Sequence, residues 1–173
     1  MRRLVLAAAV LGLMASAMPA APALARDLAQ DHFRVIGFSE RGDNVMHVDL
    51  TQLKRSKDGK SAESWLLMVG PDKDAPKGSD PAAYKLVYAV FDCGEHMFKF
   101  TEGAYYSGKG DKLRPYAADN AYRHVFEDTL ADAGERFLCR REKLQIDMTT
   151  DSMREAMLFS REIVDHPDRW VKK

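Results

Sequence analysis

From His32 to Tyr106 the apolar residues recur at a period near two, broken at intervals by Gly, Pro and Asp, which is the pattern of strands joined by turns. Phe33-Arg34-Val35-Ile36-Gly37-Phe38 opens it, alternating cleanly on Phe33 and Val35 and less cleanly on Ile36 and Phe38. Gly42-Asp43-Asn44 reads as a turn, and Val45 to Leu50 returns with Met46, Val48 and Leu50 on one face, completing a hairpin. Lys54 to Lys60 is a charged turn. Glu63 to Val69 is a third strand carrying Trp65, and the breakers Gly70, Pro71, Pro76, Gly78 and Pro81 make a long surface loop. Tyr84 to Cys93 is the most apolar segment and is predicted as a central strand covered on both faces. His96 to Tyr106 pairs with it, Ser107 to Lys112 forms a Gly-rich tip, and Tyr122 to Phe126 supplies a last strand.

The period then lengthens. Leu130, Ala133, Phe137 and Leu138 fall at i, i+3, i+7 and i+8, one stripe of a short helix that starts after Asp128-Thr129 and ends at Cys139. Ser152-Met153-Arg154-Glu155 is a capping box. Behind it Met153, Ala156, Met157, Ile163 and Val164 form a second stripe, with Pro167 just past its end. Packing on the protein's own sheet is the preferred use of this stripe over docking on a partner. Its polar face mixes Arg154, Glu155, Arg161 and Glu162, which disfavours a membrane surface. Strands first and helices last predict an α+β fold: an antiparallel sheet of about five or six strands packed with a C-terminal helix, plus an extra C-terminal helical extension. The boundaries read as a signal peptide over 1–25, an α+β domain over 26–139 and the helical extension over 140–173.

The first segment changes the setting. Met1-Arg2-Arg3, an apolar run from Leu4 to Met14 and the small residues Ala23-Leu24-Ala25 are the three parts of a cleavable export signal, cut after Ala25 or, less favourably, after Ala17. No Cys follows the apolar run, so lipid attachment is not expected, and no later stretch is long enough to span a membrane. The periplasm is the preferred location, with the cell surface or the medium as alternatives. Cleavage removes two of the 26 basic residues and none of the 26 acidic ones, leaving a net charge of −2. Charges are interspersed, which argues against nucleic acid as a partner. Cys93 and Cys139 are the only cysteines, and in an exported chain they are expected to pair. Two free thiols, the alternative, would suit a cytosolic protein.

Candidate chemistry is thin. Gly103-Ala104-Tyr105-Tyr106-Ser107-Gly108-Lys109 resembles a phosphate-binding loop, but Gly110 stands where a Ser or Thr is needed and Pro115 blocks the required helix. Asp92-Cys93-Gly94-Glu95-His96 gathers a thiol, carboxylates and an imidazole, but neighbouring strand residues face opposite ways and a bridged Cys93 is no nucleophile. His32, His47, His96, His124 and His166 lack the short spacings of zinc ligands. His47 and His96 could meet across strands, the one arrangement that would make a small envelope hydrolase. No cofactor is assigned. Arg41-Gly42-Asp43, on the predicted hairpin tip, is the tripeptide that integrins read, a guanidinium and a carboxylate at fixed separation; Gly-Asp is also ordinary turn chemistry.

The order of these features resembles the surface-adhesin protein E-like family of exported bacterial domains. The features are His32-Phe33-Arg34-Val35-Ile36, Val48-Asp49-Leu50, the Trp65 strand, Tyr84…Phe91-Asp92-Cys93, Tyr105-Tyr106 before a Gly-rich tip, and Phe137-Leu138-Cys139 closing a short helix. The resemblance implies a non-enzymatic α+β domain with one disulfide and, for the family's named member, adhesion to host matrix proteins. The resulting expectation is a non-catalytic exported binding domain of the bacterial envelope whose partner is a protein or envelope component. A host-matrix adhesin on the cell surface is the alternative.

Overall fold

Every residue of the strand Val45–Asp49 is buried, although its side chains alternate between two faces, so this strand needs a layer above and a layer below. The computed structural model describes residues 32–73, 75–142 and 148–170. The expected signal peptide over 1–25 lies outside the described residues. The strands are β1 (Phe33–Phe38), β2 (Val45–Asp49), β3 (Lys54–Arg55), β4 (Ser61–Val69), β5 (Tyr84–Asp92), β6 (Met97–Tyr106), β7 (Lys112–Pro115), β8 (Arg123–His124) and β9 (Thr149–Thr150). Two helices, α1 (Leu130–Leu138) and α2 (Met153–Asp165), complete the fold. The strands form one antiparallel sheet in the order β7-β6-β5-β4-β2-β1-β9, with β3 pairing β4 and β8 pairing β6. The architecture is α+β.

One face is closed by α1. Thr129 caps it, its hydroxyl accepting from the Asp132 N–H at 3.2 Å. Phe137 and Leu138 pack on Ile36, Met46, Val48 and Phe91. Two glycines permit this close approach: a Cβ on Gly134 would lie 3.0 Å from the Phe91 ring, and one on Gly37 would lie 3.0 Å from the Ala133 Cβ. At the helix end Arg55 donates to the carbonyls of Leu138 (2.7 Å) and Phe137 (3.3 Å), satisfying groups that have no partner within the helix. Cys139 follows and is bridged to Cys93, which directly follows β5, with the two Cα atoms 5.5 Å apart.

The other face is closed by α2. The Ser152 hydroxyl accepts from the Glu155 N–H (3.2 Å), and the Glu155 carboxylate accepts from the Asp151 N–H (3.0 Å). Met153, Ala156, Ser160 and Ile163 face inward, against Phe33, Val35, Val45 and Leu67 among others. The second apolar stripe therefore packs on the protein's own sheet.

The sheet departs from expectation in several places. Ile36 disturbs the alternation of β1 because a bulge shifts the register between Val35 and Gly37, leaving Val35 and Ile36 both buried. Lys54-Arg55, expected in a charged turn, pairs with Glu63 and Ala62. β5 is an interior strand, yet only part of it is covered on both faces: Tyr88 and Val90 lie beyond α2 and stay partly exposed.

Candidate functional site

Among the residues singled out from sequence, the disulfide pair is joined as expected. Arg41, Gly42 and Asp43 lie on the hairpin between β1 and β2. Arg41 is exposed, whereas Gly42 is buried with φ 67°, a left-handed conformation that suits glycine. One Asp43 carboxylate oxygen accepts from the Ser39 hydroxyl (2.5 Å) and the Asn44 amide (2.9 Å), and the other lies 3.6 Å from the Lys73 ammonium. The Ser39 hydrogen bond, foremost among several favourable contacts, holds this carboxyl below the usual carboxylate range. Asp43 thus ties the hairpin to itself and to the following loop. That loop approaches so closely that a Cβ on Gly70 would lie 2.6 Å from the Asp43 carbonyl oxygen.

His47 and His96 do not meet. His47 is fully buried on the α2 side of the sheet, where its Nε2 lies 2.6 Å from the Ser160 hydroxyl. That hydroxyl donates to the Ala156 carbonyl (2.8 Å), so it accepts from His47, and the imidazole is the Nε2–H tautomer. Burial pushes the His47 pKa down to about 3, so the ring is neutral. His96, at the turn after β5, instead lies with Nδ1 2.6 Å from the Glu135 carboxylate of α1, on the opposite side. Glu135 is buried, and the Arg140 guanidinium, 3.6 Å away, also faces it. Gly103, from the segment resembling a phosphate-binding loop, sits within β6, where a Cβ would lie 2.5 Å from the Leu86 carbonyl oxygen. Among the described residues, no group of three or more His, Cys, Asp or Glu side chains is placed to hold a metal ion.

The sheet face beyond α2 has a different character. On this face Leu67, Leu86 and Ala104 form a row across β4, β5 and β6 that α2 covers. The next rows are Trp65–Tyr88–Glu102 and Glu63–Val90–Lys99, and they reach solvent. Trp65 and Tyr88 meet edge-to-face with ring centroids 5.3 Å apart. Lys54 on β3 lies 6.0 Å above the Tyr88 ring and 3.2 Å from the Glu63 carboxylate. Lys99 lies 4.5 Å from the centre of the exposed Tyr122 ring. This gives a shallow surface with rigid aromatics in its middle and opposite charges around it. Sequence reasoning placed Trp65 and Tyr88 on strands but missed their pairing, because the two come together only through the β4–β5 register.

The model of the surface-adhesin protein E family matches residues 34–140. The chain belongs to that family. The family region runs from β1 through α1 and takes in the Trp65–Tyr88 surface, the disulfide and the Arg41–Asp43 turn, while β9 and α2 lie beyond it. Solved structures of Haemophilus influenzae protein E are similar: one is 11% identical with a TM-score of 0.47, over 67% of this chain and 86% of that one. Another, from a non-typeable strain, is 12% identical with a TM-score of 0.43, over 69% and 80%. Membership in the surface-adhesin protein E family rests on the match over 34–140, not on these distant likenesses. No curated protein matches the chain.

Proposed function

We propose that this protein is exported, displayed at the bacterial surface and used for adhesion to a host matrix protein, without catalysis. The observation that carries the reading is the surface-adhesin family match over residues 34–140. The export pattern of residues 1–25 supports it. The contact surface we assign is the open sheet face around Trp65 and Tyr88. Rigid aromatic side chains ringed by charge are what protein interfaces concentrate at their energetic centres, and these two belong to the matched region. Arg41-Gly42-Asp43 is the second candidate contact. It ranks lower because Asp43 spends both carboxylate oxygens on Ser39, Asn44 and Lys73.

The test begins with location. Protease is applied to intact cells making a C-terminally tagged chain, and digestion is compared with release by osmotic shock. Digestion on intact cells supports display; protection until the outer membrane is opened means a periplasmic binding protein and ends the adhesin reading. Binding of displayed cells to immobilised basement-membrane extract is then compared for wild type, Trp65→Ala and Asp43→Glu. Loss of a central aromatic contact costs about 2 kcal/mol, or about thirtyfold in affinity. If Trp65→Ala binds as wild type while Asp43→Glu does not, the hairpin turn is the contact.

A further inference from the structure

A concavity lies at the opposite end of the α2 face, between the tip joining β6 to β7 and the first half of α2. Its volume is about 730 Å³, and its lining includes Tyr84, Lys109, Arg154, Met157, Leu158 and Arg161. The size falls within the ~300–1,000 Å³ range of small-molecule sites. Arg154, Leu158 and Arg161 occur at i, i+4 and i+7, so they form one stripe along α2 with the apolar residue between two guanidiniums. Leu158 is 62% exposed, while Tyr84 and Met153 form a buried apolar floor.

The charge is one-sided. Among the described residues, three cations border the groove and no carboxylate lines it. Among the described residues the side chains of Lys109, Arg154 and Arg161 make neither a hydrogen bond nor an ion pair. This contrasts with Arg55, Arg114, Arg123 and Arg169, which are engaged within the fold. We propose that this groove binds a single-chain anionic amphiphile, a fatty carboxylate, with its acyl chain along Tyr84, Met153, Met157 and Leu158 and its headgroup on the Arg154–Arg161 rim. The two methionines suit a flexible chain, because unbranched thioether side chains adapt to irregular apolar shapes. The exposed guanidiniums offer the paired donors that a carboxylate takes up. Burial pushes the Tyr84 hydroxyl pKa up to about 12, assisted by Tyr106 and Asp111, so that hydroxyl keeps its proton beside the groove. The helix that builds this site lies outside the family-matched residues, so the activity is separate from the adhesive one.

Titration calorimetry of the exported chain with octanoate, decanoate and dodecanoate, each below its micelle concentration, tests the assignment. Affinity rises about fourfold per methylene until the groove is filled. It falls about tenfold for each of Arg154→Gln and Arg161→Gln. Both positions are exposed, so the thermal melt stays at the wild-type value; Lys109→Gln, on the tip, provides a third variant, off the helix. Decyltrimethylammonium, with the same chain and opposite charge, binds at least tenfold more weakly than decanoate. The proposal is overturned by absence of saturable binding, by equal affinity for the cationic amphiphile, or by unchanged affinity in all three variants. Binding only to phosphatidylglycerol vesicles and not to monomeric carboxylates also overturns it, in favour of a membrane-surface contact.

Discussion

Acidification acts on this fold through His47. The folded imidazole has a pKa of about 3 because burial disfavours its charged form, whereas in the unfolded chain a histidine titrates near ~6.5. Between these values the unfolded state binds a proton that the folded state does not. Unfolding is therefore favoured as pH falls, and stability that is present above about 6.5 is lost progressively toward about 3. Each pH unit within the window costs about 1.4 kcal/mol, so moving from pH 7 to pH 5 costs about 2 kcal/mol through this residue.

Other groups also titrate, so the assay must isolate His47. His47→Gln retains an N–H donor for the Ser160 hydroxyl and cannot be protonated. Urea unfolding of both proteins at pH 7 and pH 5 gives four free energies. The stability difference, wild type minus variant, shifts against wild type by about 2 kcal/mol at the lower pH. Because contributions common to both proteins cancel, a difference independent of pH would refute the assignment of a neutral, buried imidazole. A shift of opposite sign would mean that the folded state charges His47 more readily than the unfolded chain does.

Reduction of Cys93–Cys139 frees a loop with a sequence separation of 46, which chain entropy values at up to ~4 kcal/mol. A drop of several degrees in the melting temperature with dithiothreitol is expected, and a change of less than one degree would mean that the packing of α1 alone holds that end. The Asp72 carboxylate is buried between the Arg114 guanidinium (2.5 Å) and the Ala82 N–H (2.7 Å), tying the Pro-rich loop to β7. Asp72→Ala leaves a half-buried cation and a backbone donor without this partner and should cost about 3 kcal/mol. It should also speed proteolysis between Gly70 and Pro81, and unchanged cleavage there would show that the loop is held by other contacts.

The elements with long, regular patterns were legible in the sequence. The hairpin of β1 and β2, the strands β4 to β6 and both helices with their Thr129 and Ser152 caps lie within a residue or two of their expected positions. Two of the short strands were not legible, because Lys54-Arg55 and Thr149-Thr150 are two residues long and cannot display a period, whereas β8 falls within the strand expected over Tyr122 to Phe126. β7 was hidden behind the Gly-rich tip and Pro115, which ends an edge strand without disrupting an interior one. The candidate surfaces were harder still. The Trp65–Tyr88 pair depends on register, and its exposure depends on where α2 stops. The cationic groove joins Lys109 to Arg154 and Arg161, which no local spacing relates. The Arg41–Asp43 turn shows the converse: a tripeptide visible in sequence whose carboxylate the fold engages internally.

The family match ends at residue 140, but α2 beyond it forms one wall of the core. Met153, Ala156 and Ile163 are essentially inaccessible to solvent, and they close the face that carries Phe33, Val35, Val45 and Leu67. Burying side chains the size of Met153 and Ile163 contributes about 1.5–3 kcal/mol each, so the helix supplies several kcal/mol of a total stability that is only ~5–15 kcal/mol for a domain. A chain stopped after Arg140 would also leave His47 without Ser160 and uncover Tyr84. We therefore expect residues 26–140 to be aggregated or to lack a cooperative thermal transition, whereas the chain through 173 melts cooperatively. Adding α2 as a separate peptide should then protect the amides of β1 and β2 from hydrogen exchange. A soluble, cooperatively melting 26–140 fragment would mean that the second face closes by other means, and that α2 serves the groove rather than the fold.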